Sequence, residues 1–165
     1  MRLFFSLLFL TLSLRADVAL LFLSDTYSST AYRAHLSAYM TPQDRFCLGY
    51  NTDFAHIDGA YLHAWYWPSV IGSLDMTLQG GAGARYIAGV EPMVVAGVEL
   101  EMAYLPIMHL QWYASPSKQD ATLLFSYSLP LPYATVDFRV TAGLGYVHTS
   151  TQSVGSILYG AVLYF

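Results

Sequence analysis

From Thr30 to Met40 the chain alternates without a break. Tyr32, Ala34, Leu36, Ala38 and Met40 fall on one face of an extended segment, and Arg33, His35, Ser37 and Tyr39 on the other. After a turn at Thr41-Pro42-Gln43-Asp44 the same period returns, with Phe46, Leu48, Tyr50 and Phe54 opposed to Arg45, Cys47, Gly49, Asn51 and Asp53. It recurs from Leu74 to Ala88, where Met76, Leu78, Ala82, Ala84 and Tyr86 oppose Asp75, Thr77, Gln79, Gly81, Gly83 and Arg85. The clearest case runs from Met93 to Leu105 and sets Val94, Ala96, Val98, Leu100, Met102 and Tyr104 against Gly97, Glu99 and Glu101. Ile107 to Ala114, Ala121 to Leu129 and Ala134 to Tyr146 follow the same code, the last with Asp137, Arg139, Gly143 and Gly145 on the polar face. Two segments carry no clear phase: Val18 to Ser24 is apolar throughout, and Ala60 to Trp67 is aromatic on both faces.

Short polar or proline-containing stretches separate these segments: His56 to Gly59, Pro68 to Ser73, Val90-Glu91-Pro92, Ser115 to Gln119 and Leu129-Pro130-Leu131-Pro132. With His148 to Val154 leading into a final strand, the pattern predicts about ten strands of near ten residues each. That is the length a tilted strand needs to cross a bilayer. Eight strands are the alternative if Val18 to Ser24 or Ala60 to Trp67 is misread.

Composition changes what the alternation means. The chain is 55% hydrophobic and 11% charged, with 14 Tyr, 9 Phe and 3 Trp, against about 25% charged residues in ordinary soluble domains. Past the first residues there is no apolar run approaching the roughly 20 residues of a membrane-spanning helix. The apolar content is spread by alternation. The first residues read as a cleavable signal peptide, residues 1–16, with Met1-Arg2 as the positive start and Leu3 to Leu14 as the apolar stretch. Residues 17–165 would then carry Arg33, Arg45, Arg85, Lys118 and Arg139 against 11 acids, a balance that argues against nucleic acid. Cys47 is expected as a small buried hydrophobe. A lone cysteine cannot form an internal disulfide, and none sits where a lipoprotein anchor would need it.

Charge falls on one face of the strands. Arg33, Arg45, Asp53, Asp75, Arg85, Glu99, Glu101, Asp137 and Arg139 all share it, while the opposite face mixes small and aliphatic residues with aromatics near the strand ends. Aromatic girdles of this kind belong where strand ends meet lipid headgroups. The expected fold is an all-β antiparallel transmembrane β-barrel, with the nine charged residues packed as a network in its lumen and the inward glycines making room.

The last residues strengthen the expectation. Gly160, Leu163 and the terminal Phe165 close an alternating segment that resembles the C-terminal strand of Gram-negative outer-membrane barrels, although Leu158 stands where that family usually has a polar residue. The resemblance implies insertion through the barrel-assembly machinery, periplasmic chaperones in transit, and an outer membrane of lipid and lipopolysaccharide as surroundings. Val94 to Ser117, with its short loops, is similar to the YfaZ-type outer-membrane proteins, which implies location and architecture but no catalytic residues.

Candidate chemistry is sparse. His35, His63 and His109 are expected inward on three strands, where hydrogen bonding in the lumen suits them better than a metal, whose ligands must converge at about 2 Å. His148-Thr149-Ser150 is similar to the histidine and serine of outer-membrane lipid A 3-O-deacylases. No acid follows Asp137 to orient the histidine as a triad requires. The expectation is a monomeric structural or envelope barrel with a filled polar lumen, no enzyme, no cofactor and no metal. Three other readings fit parts of the pattern: a narrow solute channel, a lipid A or phospholipid hydrolase using His148 and Ser150, and a soluble periplasmic β-sandwich acting as a binding module.

Overall fold

A computed structural model describes residues 18–25, 31–51, 56–129 and 136–165. The segment expected to be a signal peptide lies outside these residues, as do Asp53, Phe54 and the Pro130 to Pro132 turn. Ten strands form one sheet: β1 (Val18–Asp25), β2 (Ala31–Tyr39), β3 (Asp44–Asn51), β4 (His56–Ile71), β5 (Leu74–Tyr86), β6 (Val90–Met102), β7 (Ile107–Ala114), β8 (Lys118–Leu129), β9 (Asp137–Thr149) and β10 (Ser153–Tyr164). Each pairs antiparallel with its neighbour in sequence, and β1 pairs with β10 to close a barrel. Short connections between the described strands leave no other pairing within reach. The start of β1 and the end of β10 meet at one rim, where Ala19 pairs with Tyr164. We call this the near rim and the opposite one the far rim. Closure rules out the eight-strand and two-sheet sandwich alternatives, because both segments of unclear phase are strands of the wall.

Several boundaries differ from the sequence expectation for one reason. His56 to Gly59 reads as a loop but begins β4, with His56, Asp58, Ala60 and Leu62 all buried on the inner side. Lys118 and Gln119 read as loop but begin β8, where Lys118 and Asp120 point inward and are buried. Val90 to Pro92 belongs to β6, and β4 runs on through Pro68 with a register shift between Trp67 and Ile71. Polar residues normally signal turns because water satisfies them. Here they turn into the barrel and pair as ions with each other.

The wall is bent where inward glycines lie against a neighbouring backbone. A Cβ on Gly83 would stand 1.9 Å from the Gly59 carbonyl oxygen, and one on Gly143 would stand 1.9 Å from that of Leu123. These glycines therefore permit strand curvature more than they clear space for arginines.

The polarity of the fold is inverted. From Arg33 onward, Lys, Arg, Asp and Glu of the described strands take inward positions of the alternation, Asp44 at the start of β3 excepted. Arg33, His56, Asp58, Arg85, Lys118 and Asp120 are buried, while Tyr86, Leu144, Tyr146 and Ile157 on the other face are about half exposed. Strands β8 and β10, of 12 residues each, give a wall roughly 30 Å tall at about 3.3 Å per residue and a tilt near 40°.

Candidate functional site

Among the described residues the lumen is where ionisable side chains concentrate, and it is built in three layers. Toward the far rim, Arg85 on β5 lies beside Asp58 on β4, its partner in register. Its Nε donates to Asp58 Oδ1 at 2.7 Å and its Nη2 to Asp58 Oδ2 at 3.0 Å. The same guanidinium crosses the lumen: Nη2 is 2.7 Å from Asp120 Oδ2, and Nη1 donates to the Lys118 carbonyl at 3.2 Å. Lys118 Nζ is 3.2 Å from Asp120 Oδ1 and 2.9 Å from His56 Nδ1. His56 Nε2 returns to Asp58 Oδ2 at 3.3 Å, so the ring accepts from the ammonium and donates to the carboxylate, which assigns a neutral tautomer from its partners. Two cations and two carboxylates cancel, and Arg85 has 0% of its surface exposed. This strut ties β4 and β5 to β8 across the barrel.

The middle layer is apolar. Cys47, Ala60, Leu62, Met93, Val95 and Tyr113 pack on one side, and Leu23, Leu124 and Leu158 with Leu21 on the other. Leu158, the residue that departs from the usual C-terminal pattern, is fully buried here. It faces a greasy stretch of lumen, so an apolar side chain suits it. Cys47 is buried as expected.

Toward the near rim the polar contacts are looser. Arg45 donates to Tyr39 Oη at 3.1 Å and to Gln79, which also accepts from Gln111 at 3.4 Å. Glu99 meets His109 at 2.9 Å, and Arg139 pairs with Asp137 at 2.7 Å while lying 4.4 Å over the Tyr164 ring. Among the described residues the lumen holds cavities of about 70 and 30 Å³, the first bordered by Arg45, Glu99, His109 and Tyr164 and the second by Arg33, His35 and the strut. Both are lined by polar and apolar side chains together and are the size of a few waters.

The nine residues expected to form one network are thus distributed. Arg85 sits in the strut, Arg33 is buried in the same half, and Arg45, Glu99, Asp137 and Arg139 form separate contacts near the other rim. Asp75 and Glu101, paired in register, lie on the part of β4–β6 that runs past the near rim, where Asp75 accepts from Tyr66 Oη at 2.7 Å and from the Ser69 amide at 2.8 Å. Asp53 is outside the described residues. Sequence reasoning missed His56, Asp58, Lys118 and Asp120. The signal was there: His56, Asp58, Ala60 and Leu62, like Lys118, Asp120, Thr122 and Leu124, keep a strict two-residue period into the adjoining strands.

Comparison with protein-family models, curated proteins and solved structures returns no match.

Two expected positions need correction. His63 is not in the lumen. Ala60 and Leu62, 2% and 1% exposed, set the inward phase of β4, so His63 points outward, where Nδ1 meets Asp44 Oδ1 at 2.8 Å and the ring stands edge-on to Trp65. His148 and Ser150 do not share a strand face, because β9 ends at Thr149 and Ser150 lies in the following turn. His148 Nδ1 instead meets Ser153 Oγ at 2.8 Å on the outer surface. His35 and His109 do line the cavities. No group of three or more metal-ligating side chains occurs among the described residues.

Proposed function

We propose that this chain is a small outer-membrane β-barrel of structural or envelope role whose lumen is filled by side chains. The observation that carries the reading is the inversion: buried Arg85, Asp58, Asp120 and Lys118 inside, exposed Leu144, Tyr146, Ile157 and Tyr86 outside. Such a surface is costly in water and suits hydrocarbon, where a closed antiparallel barrel also leaves no backbone edge unpaired. A wall roughly 30 Å tall matches the hydrocarbon thickness. The apolar leader of residues 1–16 supports export, and Gly160, Leu163 and Phe165 support delivery by the barrel-assembly machinery, with lipid and lipopolysaccharide as the final surroundings and the monomer as the working unit. The resemblance of Val94 to Ser117 to YfaZ-type proteins agrees with this placement.

A solute channel is the poorer reading, because the strut lies across the lumen and the cavities that border it among the described residues measure about 70 and 30 Å³. Catalysis by His148 and Ser150 is poorer too, since the histidine is bonded to Ser153.

The test is cell fractionation followed by gel migration with and without boiling. Detergent-dependent extraction from the outer membrane and a band that shifts on heating are expected. A protein recovered in buffer without detergent, or one with a single band position, overturns the proposal.

A further inference from the structure

Arg85 and Arg139 each face a carboxylate, Arg85 those of Asp58 and Asp120 and Arg139 that of Asp137. Arg45 faces none within ion-pair distance among the described residues. Its guanidinium donates to two neutral oxygens, Tyr39 Oη at 3.1 Å and the side-chain carbonyl of Gln79, and stands 5.7 Å from the centre of the Tyr39 ring. A guanidinium presents five N–H donors in one plane, so these contacts leave part of the fork and the whole charge unanswered. An inward cation with only neutral partners is costly unless an anion meets it.

Arg45 borders the larger lumen cavity, of about 70 Å³. Two more donors border the same space. Tyr39 Oη accepts from Arg45, which leaves its own proton to donate, and Tyr164 Oη has no hydrogen-bond partner among the described residues. The acid on this border, Glu99, is held by His109 at 2.9 Å. Facing the polar group are aliphatic side chains: Leu124 lies on β8, five strands round the wall from Arg45 on β3, with Leu21 and Val162 beside the cavity.

We infer that this cavity binds an acetate-sized monocarboxylate, with its carboxylate on Arg45, Tyr39 and Tyr164 and its carbon end against Leu124 and Val162. The planar fork of arginine matches the two oxygens of a carboxylate. The aliphatic wall suits a methyl group and gives nothing to a halide or a phosphate. A dianion would need a second cation, and Arg139 near the same rim is already paired with Asp137. At about 15 Å³ for each water-sized group, the volume takes about four such groups, as many as the heavy atoms of acetate. The apolar middle layer and the strut lie beyond the cavity, so the site holds its anion without passing it on. The inference rests on the closed, side-chain-filled lumen of the proposed barrel and does not depend on what surrounds the outer wall.

The experiment titrates the purified barrel, in dodecyl maltoside micelles and a buffer free of other carboxylates, with [1-13C]acetate and follows the carboxyl line width by NMR. Broadening that saturates is expected. Arg45→Gln should raise the half-saturating acetate at least about ten-fold, and Tyr39→Phe and Tyr164→Phe about three-fold each. Arg139→Gln, which removes a rim arginine that has its own acid, should change it less than about two-fold. Each variant is first checked for the parent's heat-shifted band and circular dichroism. If Arg45→Gln fails that check, the Tyr39→Phe/Tyr164→Phe pair carries the test with Arg45 in place. Broadening that never saturates, or that survives loss of the Arg45 charge or of both hydroxyls, overturns the site. An equal loss in Arg139→Gln overturns it too, because general positive charge would then be enough. Chloride that displaces acetate at equal or lower concentration overturns the choice of a carboxylate. Failure of the membrane reading is a separate result, visible beforehand as a protein that stays in buffer without detergent.

Discussion

Arg85 and Arg139 are both arginines on the inward face of a strand, and the barrel treats them differently. Arg85 is fully buried and binds Asp58 from the adjacent strand and Asp120 from across the lumen. Arg139 has 19% of its side chain exposed and pairs with Asp137, two residues away on its own strand. The reach to Asp120 joins parts of the wall that share no backbone hydrogen bonds. The Arg139 pair joins a strand to itself. Inward ion pairing in a small barrel is therefore of two kinds, a cross-lumen tie whose loss strands buried carboxylates and a rim pair that water can replace.

The comparison is broken most severely at the strut. Arg85→Ala leaves Asp58 and Asp120 buried without their main cation and should destabilise the barrel by about 3–5 kcal/mol, read as a lower urea midpoint of the folded band in lipid vesicles. Adding Asp58→Asn and Asp120→Asn to Arg85→Met should recover most of the loss, because the stranded charge is what costs. A triple variant no better than Arg85→Ala would mean that packing, not charge, makes the strut.

Gly83→Ala tests the curvature that brings β4 and β5 close enough for the Asp58–Arg85 pair. With a Cβ 1.9 Å from a backbone oxygen, the strands must separate, at a cost of about 1–3 kcal/mol and a slower appearance of the folded band. Lys118→Ala removes one strut cation while Arg85 stays. About 1–3 kcal/mol is expected, and planar-bilayer recordings should remain free of stable single-channel steps, as in the parent protein. Steady currents in the parent would sink the filled lumen. Arg139→Ala is the smallest change, at most about 1 kcal/mol and further reduced by salt. A loss equal to that of Arg85→Ala would erase the distinction between rim and strut.

Much of the barrel was legible in the chain. Unbroken alternation in β2, β3, β5 and β6 marks two faces, and confining charge to one of them identifies that face before any contact is known. β4 resisted because both its faces are apolar at the level of Trp65 and Tyr66. Only packing chose Ala60 and Leu62 for the interior, sending His63 outward to Asp44. The strut resisted for the opposite reason. His56, Asp58, Lys118 and Asp120 look like loop residues, because polar residues at strand ends are usually solvated.

By itself the sequence determined the period, a strand count of about ten with eight left open, and the two faces of the strands with a clear phase, since these follow from neighbours two residues apart along one chain. Tertiary structure decided which charges meet. Arg85 finds Asp120 only because the curved wall closes and brings β5 and β8, with two strands between them, within one side chain's reach through the lumen. A two-residue period carries no information about what stands on the far side of a closed wall.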